Sequence, residues 1–500
     1  MDKHGLSFFL ERELKDITDR FEEVRKGTLL FYRLGEREED FLRLLSYGKK
    51  VTEKNFFLVL QVSAERSLSL EVKELRGVFP SFVIFEKEEF VRCQQKILDD
   101  LYPLHKKKIK LIGITGTNGK TTSAHLTAQL CNLIDSKKKT FYLGTLGLIG
   151  SSGKIERALS NTTPGPIELR KIFHHYFVKK NYHAGVMEVS SHALHQRRIE
   201  GYEFDVVGIT NFTQDHLDYH PSMEEYFQSK MILFKEFAKK MAAFIVPKSQ
   251  ENLSHQMIKA GLDEKRIRMS SLDCEREKLP SFLQVSFNED NIAFSFSLVE
   301  SLFKINLTKE KRENLASKLK NIPGRFQVIS LAPFSSQSCA LIDSAHTPDA
   351  MEKIITATKE VYPHHLIWTL FGCGGNRDAS KRPLMGKMAA SLSDKIFLTS
   401  DNVRDEDPQQ IIYDVKKGIP PSFFTPKNYR EILLRQEAIE EALREIKESE
   451  EENQKSIILL LLGKGHEDYE IIGEEKRAFL EEEIILRFIA RKEKKLKLQS

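Results

Sequence analysis

Residues 109–134 constrain the fold more than any other stretch of the chain. The apolar run IKLIGI leads into the polar loop TGTNGK, and TTSAHLTAQLCNLI follows with helical character. A buried strand that empties through a glycine-bearing loop into a helix opens a βαβ unit, and such units build parallel sheets. Within GITGTNGKTT (113–122), Gly116 and Gly119 allow consecutive N–H groups to turn toward phosphate oxygens. The helix that follows adds the positive end of its dipole. Lys120 can neutralise β- and γ-phosphate charge, and the Thr121 hydroxyl can reach Mg2+. The usual loop of this kind has a glycine at the position of Ile114, so Gly116 and Gly119 must supply the permissive backbone. The reading is a site for ATP and magnesium.

The strand–loop–helix alternation continues beyond the loop. AGVMEV and DVVGIT read as further strands, each ending in polar residues, and ligands of parallel sheets sit at such carboxyl ends. After the polar stretch LAPFSSQS the pattern restarts in CALIDSAHTPDAMEKII, LIWTLFGCGGNRDASKRPLM, DKIFLTSDNVRDEDP and SIILLLLGKGHEDYE. Before the loop, GTLLFYRL, FFLVLQV and FPSFVIFE read as strands. With a composition shift at the basic run HKKKIK, the expectation is an α/β chain of three domains, 1–108, 109–332 and 333–500. The Glu/Lys-rich segment 437–455 is expected to be a helix with a solvated face.

Composition excludes several classes. Among 500 residues, 40% are hydrophobic and 30% charged, which is ordinary for a globular protein and not for a disordered one. The net charge of +5 is small for this length and the signs are interspersed, so neither a nucleic-acid nor a membrane partner is required. Five widely spaced cysteines without a CxxC argue against a disulfide framework or a zinc site. The apolar run IILLLL is far too short to span a bilayer, and the first residues lack the apolar core of a signal peptide. The expectation is a cytoplasmic protein.

No apolar run ending in Asp supplies the usual second magnesium motif. Two strand ends offer substitutes: VMEVSSHAL places Glu188 beside two serines, and ITNFTQDHLDYH places His216 between Asp215 and Asp218. Carboxylate and imidazole can both ligate the ion, imidazole being the softer and less usual.

The segments GITGTNGKTT, NTTPGPIEL, MEVSSHALHQRR, TNFTQDHLDYHPSMEEYFQSKMILF, GRFQ, DSAHTPDAM, FGCGGNRDASKRPLM, TSDNVRDEDP and GKGHEDYE occur in one order. That order resembles the Mur ligases, and within them the MurE type. The resemblance spans about residues 110–480 and implies a uridine-binding N-terminal domain, a central ATPase domain and a Rossmann-like C-terminal domain that brings the amino acid. It implies a monomeric ligase of peptidoglycan precursor synthesis that activates a carboxylate as an acyl phosphate and joins an amine to it. ATP would be held by Gly116, Thr117, Asn118, Gly119, Lys120, Thr121 and Thr122, with Asn291, Arg325, Asp343 and His346. Two magnesium sites are implied, with Thr121, Glu188, His216 and Lys230 as ligands, Lys230 being carried as a carbamate (N6-carboxylysine). Lys120, Lys230, His216 and Glu188 form the implied catalytic set. Thr162, Thr163, Ser190, Gln196 and Arg198 would grip UDP-N-acetylmuramoyl-dipeptide, with Thr18 and Asp19 at the uridine end.

Within this resemblance, Arg377, Asn402, Arg404, Gly463 and Glu467 match the amino-acid site. The motif that marks meso-diaminopimelate enzymes reads Asp401, Asn402, Val403, Arg404 here, with Val403 in place of the usual proline. A guanidinium suits the second carboxylate of diaminopimelate, which lysine lacks. The N-terminal TDRFEEVRKGTLLF departs from the family's uridine pattern, Ser344 stands where Tyr is usual, and Asn376 where Asp is usual. The alternatives are a lysine-adding ligase, another ligase such as folylpolyglutamate synthase, and a non-catalytic muropeptide-binding relative.

Overall fold

The protein is described by a computed structural model that covers every residue except 1–5, 8, 11–13, 35–37, 52–55, 63–70, 80, 105–108, 160, 333, 336, 454, 474 and 500. The first of its sheets is parallel, in the order β1 (Asp16–Thr18), β2 (Thr28–Arg33), β3 (Phe56–Gln61), β4 (Phe82–Phe85). The three expected N-terminal strands are therefore present, joined by β1.

The central sheet has eight strands: β5 (Lys110–Thr115), β6 (Thr140–Gly144), β7 (Gly147–Ile149), β8 (Ile155–Arg157), β9 (Ala184–Glu188), β10 (Phe204–Ile209), β11 (Ala238–Pro247) and β12 (Ile267–Ser270). Their order is β12-β11-β10-β5-β9-β6-β7-β8. The phosphate-loop strand β5 thus lies between the two strands that end at Glu188 and near His216. The sheet is parallel from β12 to β6, as its apolar runs predict. β7 and β8 add an antiparallel edge. The reason is local: Thr145 and Leu146 alone join β6 to β7, and a connection this short can only make a hairpin.

The third sheet runs β13 (Gln327–Ser330), β14 (Cys339–Asp343), β18 (Ile457–Leu462), β15 (Leu366–Phe371), β16 (Lys395–Leu398), β17 (Tyr429–Glu431) in space. β18 is the run IILLLL, buried at every position between β14 and β15. A strand covered on both faces has no need of alternation. A separate hairpin pairs β19 (Tyr469–Ile472) with β20 (Glu475–Ala478). The helix Arg435–Asn453 buries Ala438, Ile439, Ala442, Leu443 and Ile446 against this sheet. Its Glu/Lys residues fill the remaining surface.

Compact packing divides the chain into two units. One comprises residues 1–109 with 164–183 and 198–200; the other holds the rest, including the eight- and six-stranded sheets. Two details differ from contiguous segments ending at 108 and 332; residues 105–108 themselves lie outside the described residues. The helix Pro166–Phe173 belongs with the N-terminal sheet because Ile167 is buried in that core, and because Arg170 and Lys171 pair with Asp99 and Asp16 at 2.6 and 2.9 Å. β13 already pairs antiparallel with β14, ahead of the polar stretch at 331–338.

Candidate active site

The phosphate loop is shaped by its two glycines and clamped by the segment after β10. Gly116 has φ +135°, and a Cβ there would lie 2.0 Å from Thr210 Oγ1. Gly119 has φ +80° at the start of the helix Lys120–Ile134, and a Cβ would meet Asn291 Oδ1 at 2.7 Å. Only glycine fits either position. Asn118 N donates to Asn211 Oδ1 (2.8 Å), Asn211 Nδ2 donates to the Asn118 carbonyl (3.0 Å), and Thr210 Oγ1 donates to the same carbonyl (2.6 Å). Thr117 Oγ1 donates to the Thr213 carbonyl (3.1 Å). Thr210, Asn211 and Thr213 are not among the expected site residues, although TNFT was legible as a polar strand end.

Lys120 Nζ donates to the carbonyls of Gly116 (3.0 Å) and Thr117 (2.7 Å). Lys230, on the helix Met223–Lys235, reaches the same Gly116 carbonyl at 2.9 Å, so two distant lysines converge on one loop. Lys230 is 1% exposed and lies 4.2 Å from the Tyr226 ring centroid. Burial, reinforced by the nearby Lys120 charge, holds its amine well below the ordinary lysine range.

Glu188 is fully buried at the end of β9. Its Oε1 accepts from the Tyr142 hydroxyl and from Thr145 N (2.9 Å). Its Oε2 accepts from the hydroxyls of Thr121 (3.0 Å) and Thr145 (3.1 Å). Space for this carboxylate comes from Gly144, where a Cβ would lie 2.2 Å from Oε1. Tyr142, Gly144 and Thr145 were not expected in the site; they sit on the β6–β7 hairpin, which no motif marked. Arg325 Nη2 donates to Thr121 Oγ1 at 3.2 Å. Thr122 is buried in the same helix.

His216 has a left-handed backbone, φ +56°, uncommon for a residue with a side chain. Its Nε2 lies 3.5 Å from Asp215 Oδ2, and its ring centroid is 4.9 Å from that of His192. Burial, with the nearby lysines, pushes its pKa down to about 3, so the imidazole is neutral and able to ligate. Among the described residues no group of three or more His, Cys, Asp or Glu is placed to hold a metal ion. The paired Thr121 hydroxyl and Glu188 carboxylate do present hard oxygens, and magnesium commonly takes only one or two protein carboxylates beside phosphate and water. The donor set fits magnesium.

Other expected residues divide into groups. Thr163 Oγ1 donates to the Glu188 carbonyl (2.9 Å) and accepts from Ser190 N (3.1 Å), while Thr162 Oγ1 lies 3.1 Å from Thr145 Oγ1. Ser190 caps the helix Ser191–His195. These three gather around Glu188. Gln196 Nε2 donates to the Tyr219 hydroxyl at 3.1 Å. Arg198 falls in the other compact unit, with Thr18 and Asp19. There Thr18 Oγ1 donates to Glu23 (2.8 Å), and burial raises the Asp19 pKa.

Asn291 is 8% exposed and lies behind the loop: its Oδ1 accepts from Ser123 Oγ (3.1 Å) and its Nδ2 donates to Asn288 (3.0 Å). Asp343, at the end of β14, accepts from Phe326 N (2.8 Å) and Ala345 N (2.9 Å). His346 Nδ1 lies 2.6 Å from the Ser344 carbonyl.

The five residues expected to meet an amino acid gather at the carboxyl ends of β15, β16 and β18. Asn402 Nδ2 donates to Glu467 Oε2 (2.8 Å), and Arg404 Nη1 donates to the Gly375 carbonyl (2.8 Å). Gly463 has φ +113°, and a Cβ would lie 2.6 Å from Asp401 Oδ2. Arg377 is half exposed, within 4.0 Å of Asp218. Arg404 and Arg377 both border Gly374, where a Cβ would lie 3.1 Å from Arg404 Nη1 and 3.6 Å from Arg377 Cγ, and burial and then the Arg377 charge lower the Arg404 pKa. Burial and Asp401 raise that of Glu467. Two cations beside one carboxylate can receive a molecule with two carboxylates and an ammonium group.

Residues 114–329 match the Mur ligase middle domain, and residues 324–465 match the Mur ligase, glutamate ligase domain. The UDP-N-acetylmuramoyl-L-alanyl-D-glutamate–2,6-diaminopimelate ligase of Fusobacterium nucleatum is 36% identical over 415 residues, 79% of this chain and 80% of that one. The ligase of the same name from Aquifex aeolicus is 33% identical over 503 residues, 96% of this chain and 94% of that one. A solved structure of a ligase so named has a TM-score of 0.53 at 24% identity, covering 96% of this chain and 95% of that one, which is a likeness of fold. With matches that run unbroken from the phosphate loop through the glycine-rich end of β18, the chain belongs to the Mur ligase family.

Proposed function

We propose that this ligase uses ATP to join meso-diaminopimelate to UDP-N-acetylmuramoyl-L-alanyl-D-glutamate in peptidoglycan synthesis, giving the UDP-muramoyl-tripeptide, ADP and phosphate. The names of its relatives support the reaction class. The observation that carries the amino-acid choice is that Arg404 and Arg377 both border Gly374, with Glu467 held 2.8 Å from Asn402. The guanidiniums receive the distal carboxylate, and Glu467 receives the distal ammonium.

The chemistry first brings a carboxylate to a triphosphate. Unit charges about 4 Å apart repel by roughly 4 kcal/mol at an intermediate effective dielectric. Lys120 lies over the loop where the phosphates bind and offsets part of this. Thr121, Glu188, His216 and a carbamate on Lys230 would hold magnesium at two sites, and the ions would supply the rest of the positive charge. Lys230 suits carbamylation because burial and the nearby Lys120 charge favour the neutral form of its amine. The neutral nitrogen adds to carbon dioxide, loses a proton and becomes an anionic ligand. Once the carboxylate carries phosphate, the incoming amine attacks, and the tetrahedral intermediate expels phosphate to leave the amide.

No helix among the described residues is long and apolar enough to cross a membrane. The reading has the enzyme working as a monomer in the cytoplasm on small-molecule substrates. The test is an amino-acid panel with ATP and UDP-muramoyl-dipeptide, read by phosphate release. Release should require both the dipeptide and an amino acid, and diaminopimelate should exceed lysine in kcat/KM. Faster joining of lysine would overturn the substrate, and release independent of the dipeptide would overturn the reaction.

A further inference from the structure

Asn402 and Arg404 are held by residues to which no role has yet been given. Lys464, in the loop after β18, is 1% exposed, a costly place for an ammonium group unless it is partnered. Its Nζ donates to Asn402 Oδ1 (3.2 Å) and to the Tyr469 carbonyl (2.8 Å), with Asp401 Oδ1 at 3.5 Å. Ile471 N donates to the same Asn402 Oδ1 at 2.9 Å. Two donors on Oδ1 decide which way the amide faces. Turned over, its NH2 would meet two donors and its oxygen would meet the Glu467 carboxylate.

The β19–β20 hairpin extends this clamp along the backbone. Arg404 N donates to the Ile471 carbonyl (3.1 Å), and Gly473 N donates to the Arg404 carbonyl (2.7 Å). Arg404 has φ +51°, so its left-handed backbone is held from both sides by the hairpin. Its guanidinium is held in turn by the loops beside it, Nη1 donating to the carbonyls of Gly375 (2.8 Å) and Asn402 (3.2 Å). Val403 occupies the position where a proline ring would pre-set the loop, and it is 7% exposed in the core of the six-stranded sheet. Contacts from outside the loop thus do what a ring would do within it.

We infer that Lys464 and the β19–β20 hairpin are positioning elements for amino-acid selectivity, holding Asn402 and Arg404 where a guanidinium meets the second carboxylate of a diamino dicarboxylate. The inference rests on the function proposed above. A loosened loop would penalise diaminopimelate more than lysine, because lysine has no carboxylate for Arg404 to hold.

The experiment compares Lys464→Met, Lys464→Arg and Gly473→Pro in the full chain. Phosphate release is measured at saturating ATP and UDP-muramoyl-dipeptide with the amino acid varied, and KM for ATP is measured separately. Gly473 suits the second site because its φ of +59° and its N–H donor are both denied to proline, while β20 is exposed along its whole length. With a charged hydrogen bond lost in Lys464→Met, and the backbone bond to the Arg404 carbonyl lost in Gly473→Pro, KM for diaminopimelate should rise about tenfold in each. The diaminopimelate-to-lysine ratio of kcat/KM should contract, KM for ATP should hold, and Lys464→Arg should restore most of the preference. If Lys464→Met does not fold, Gly473→Pro decides. An unchanged ratio in Gly473→Pro, or equal losses for ATP and both amino acids, would overturn the positioning role. A native enzyme that prefers lysine would overturn the proposed substrate instead; a lysine KM insensitive to both substitutions would then overturn the positioning role as well.

Discussion

Glu188 and Lys230 carry the tightest local constraints. Glu188 is a buried carboxylate whose oxygens accept from Tyr142, Thr145 and Thr121. Glu188→Gln keeps the shape but puts an NH2 where a donor already points. We expect phosphate release to fall about 100-fold or more, with the melting temperature lowered by only a few degrees. Activity within tenfold of native would remove Glu188 from the catalytic set. Lys230 makes a prediction about pH as well as identity. Its lowered pKa keeps the amine neutral, and able to bind carbon dioxide, further down in pH than a solvated lysine. Lys230→Ala should be inactive at any carbonate level. The native enzyme should lose activity when carbon dioxide is removed, and lose it more readily as pH falls and the amine protonates. Full activity of Lys230→Ala would end the carbamate reading. Both residues were legible as motif members. Thr121 was legible beside them, but Tyr142 and Thr145 were not, because they come from a hairpin that no motif marked, and nothing in the sequence says that Lys230 reaches the Gly116 carbonyl.

At the scale of elements, the helix Lys120–Ile134 carries a titration of its own. His125 is buried on it, with Nδ1 2.9 Å from Gln129 Nε2, and burial pulls its pKa down to about 4. In the unfolded chain it would titrate near the ordinary 6.5. Between these values the unfolded state binds more protons than the folded one, so stability is full above about 6.5 and is lost as pH falls toward about 4. The loss attributable to this group reaches about 3 kcal/mol at most. Urea unfolding of His125→Gln across that range should show a shallower fall than native, whatever its stability at pH 8. Parallel slopes would assign the acid sensitivity elsewhere. The helix itself was readable from its pattern, as were β5, β9, β10 and β18, since continuous apolar runs between polar ends suffice for buried parallel strands. The β7–β8 edge escaped because three-residue strands carry too little pattern to read.

For the whole molecule, the sequence order of motifs and the spatial partition differ in one respect. Residues 164–183 lie between two parts of the central sheet in sequence yet pack with the N-terminal unit. Ile167 is 2% exposed in that unit's core, and Arg20 pairs with Glu168 at 2.6 Å. Ile167→Ala should therefore destabilise the N-terminal unit by about 2–5 kcal/mol. Hydrogen exchange should quicken in β1–β4 and stay unchanged in β5 and β9. Faster exchange in β5 instead would return the helix to the central sheet.

The sequence by itself determined the α/β alternation, the phosphate loop and the family, because these rest on local pattern and on motifs whose order does not depend on packing. It also put Arg404 and Glu467 forward as the amino-acid site. Only the tertiary structure decided how that site is held. Lys464, Ile471 and Gly473 reach Asn402 and Arg404 from a loop and a hairpin some sixty to seventy residues away. A left-handed backbone at Arg404 is likewise set by hydrogen bonds to another segment. Distance along the chain hides such bonds, since no residue-type preference at 402–404 says which donor will arrive.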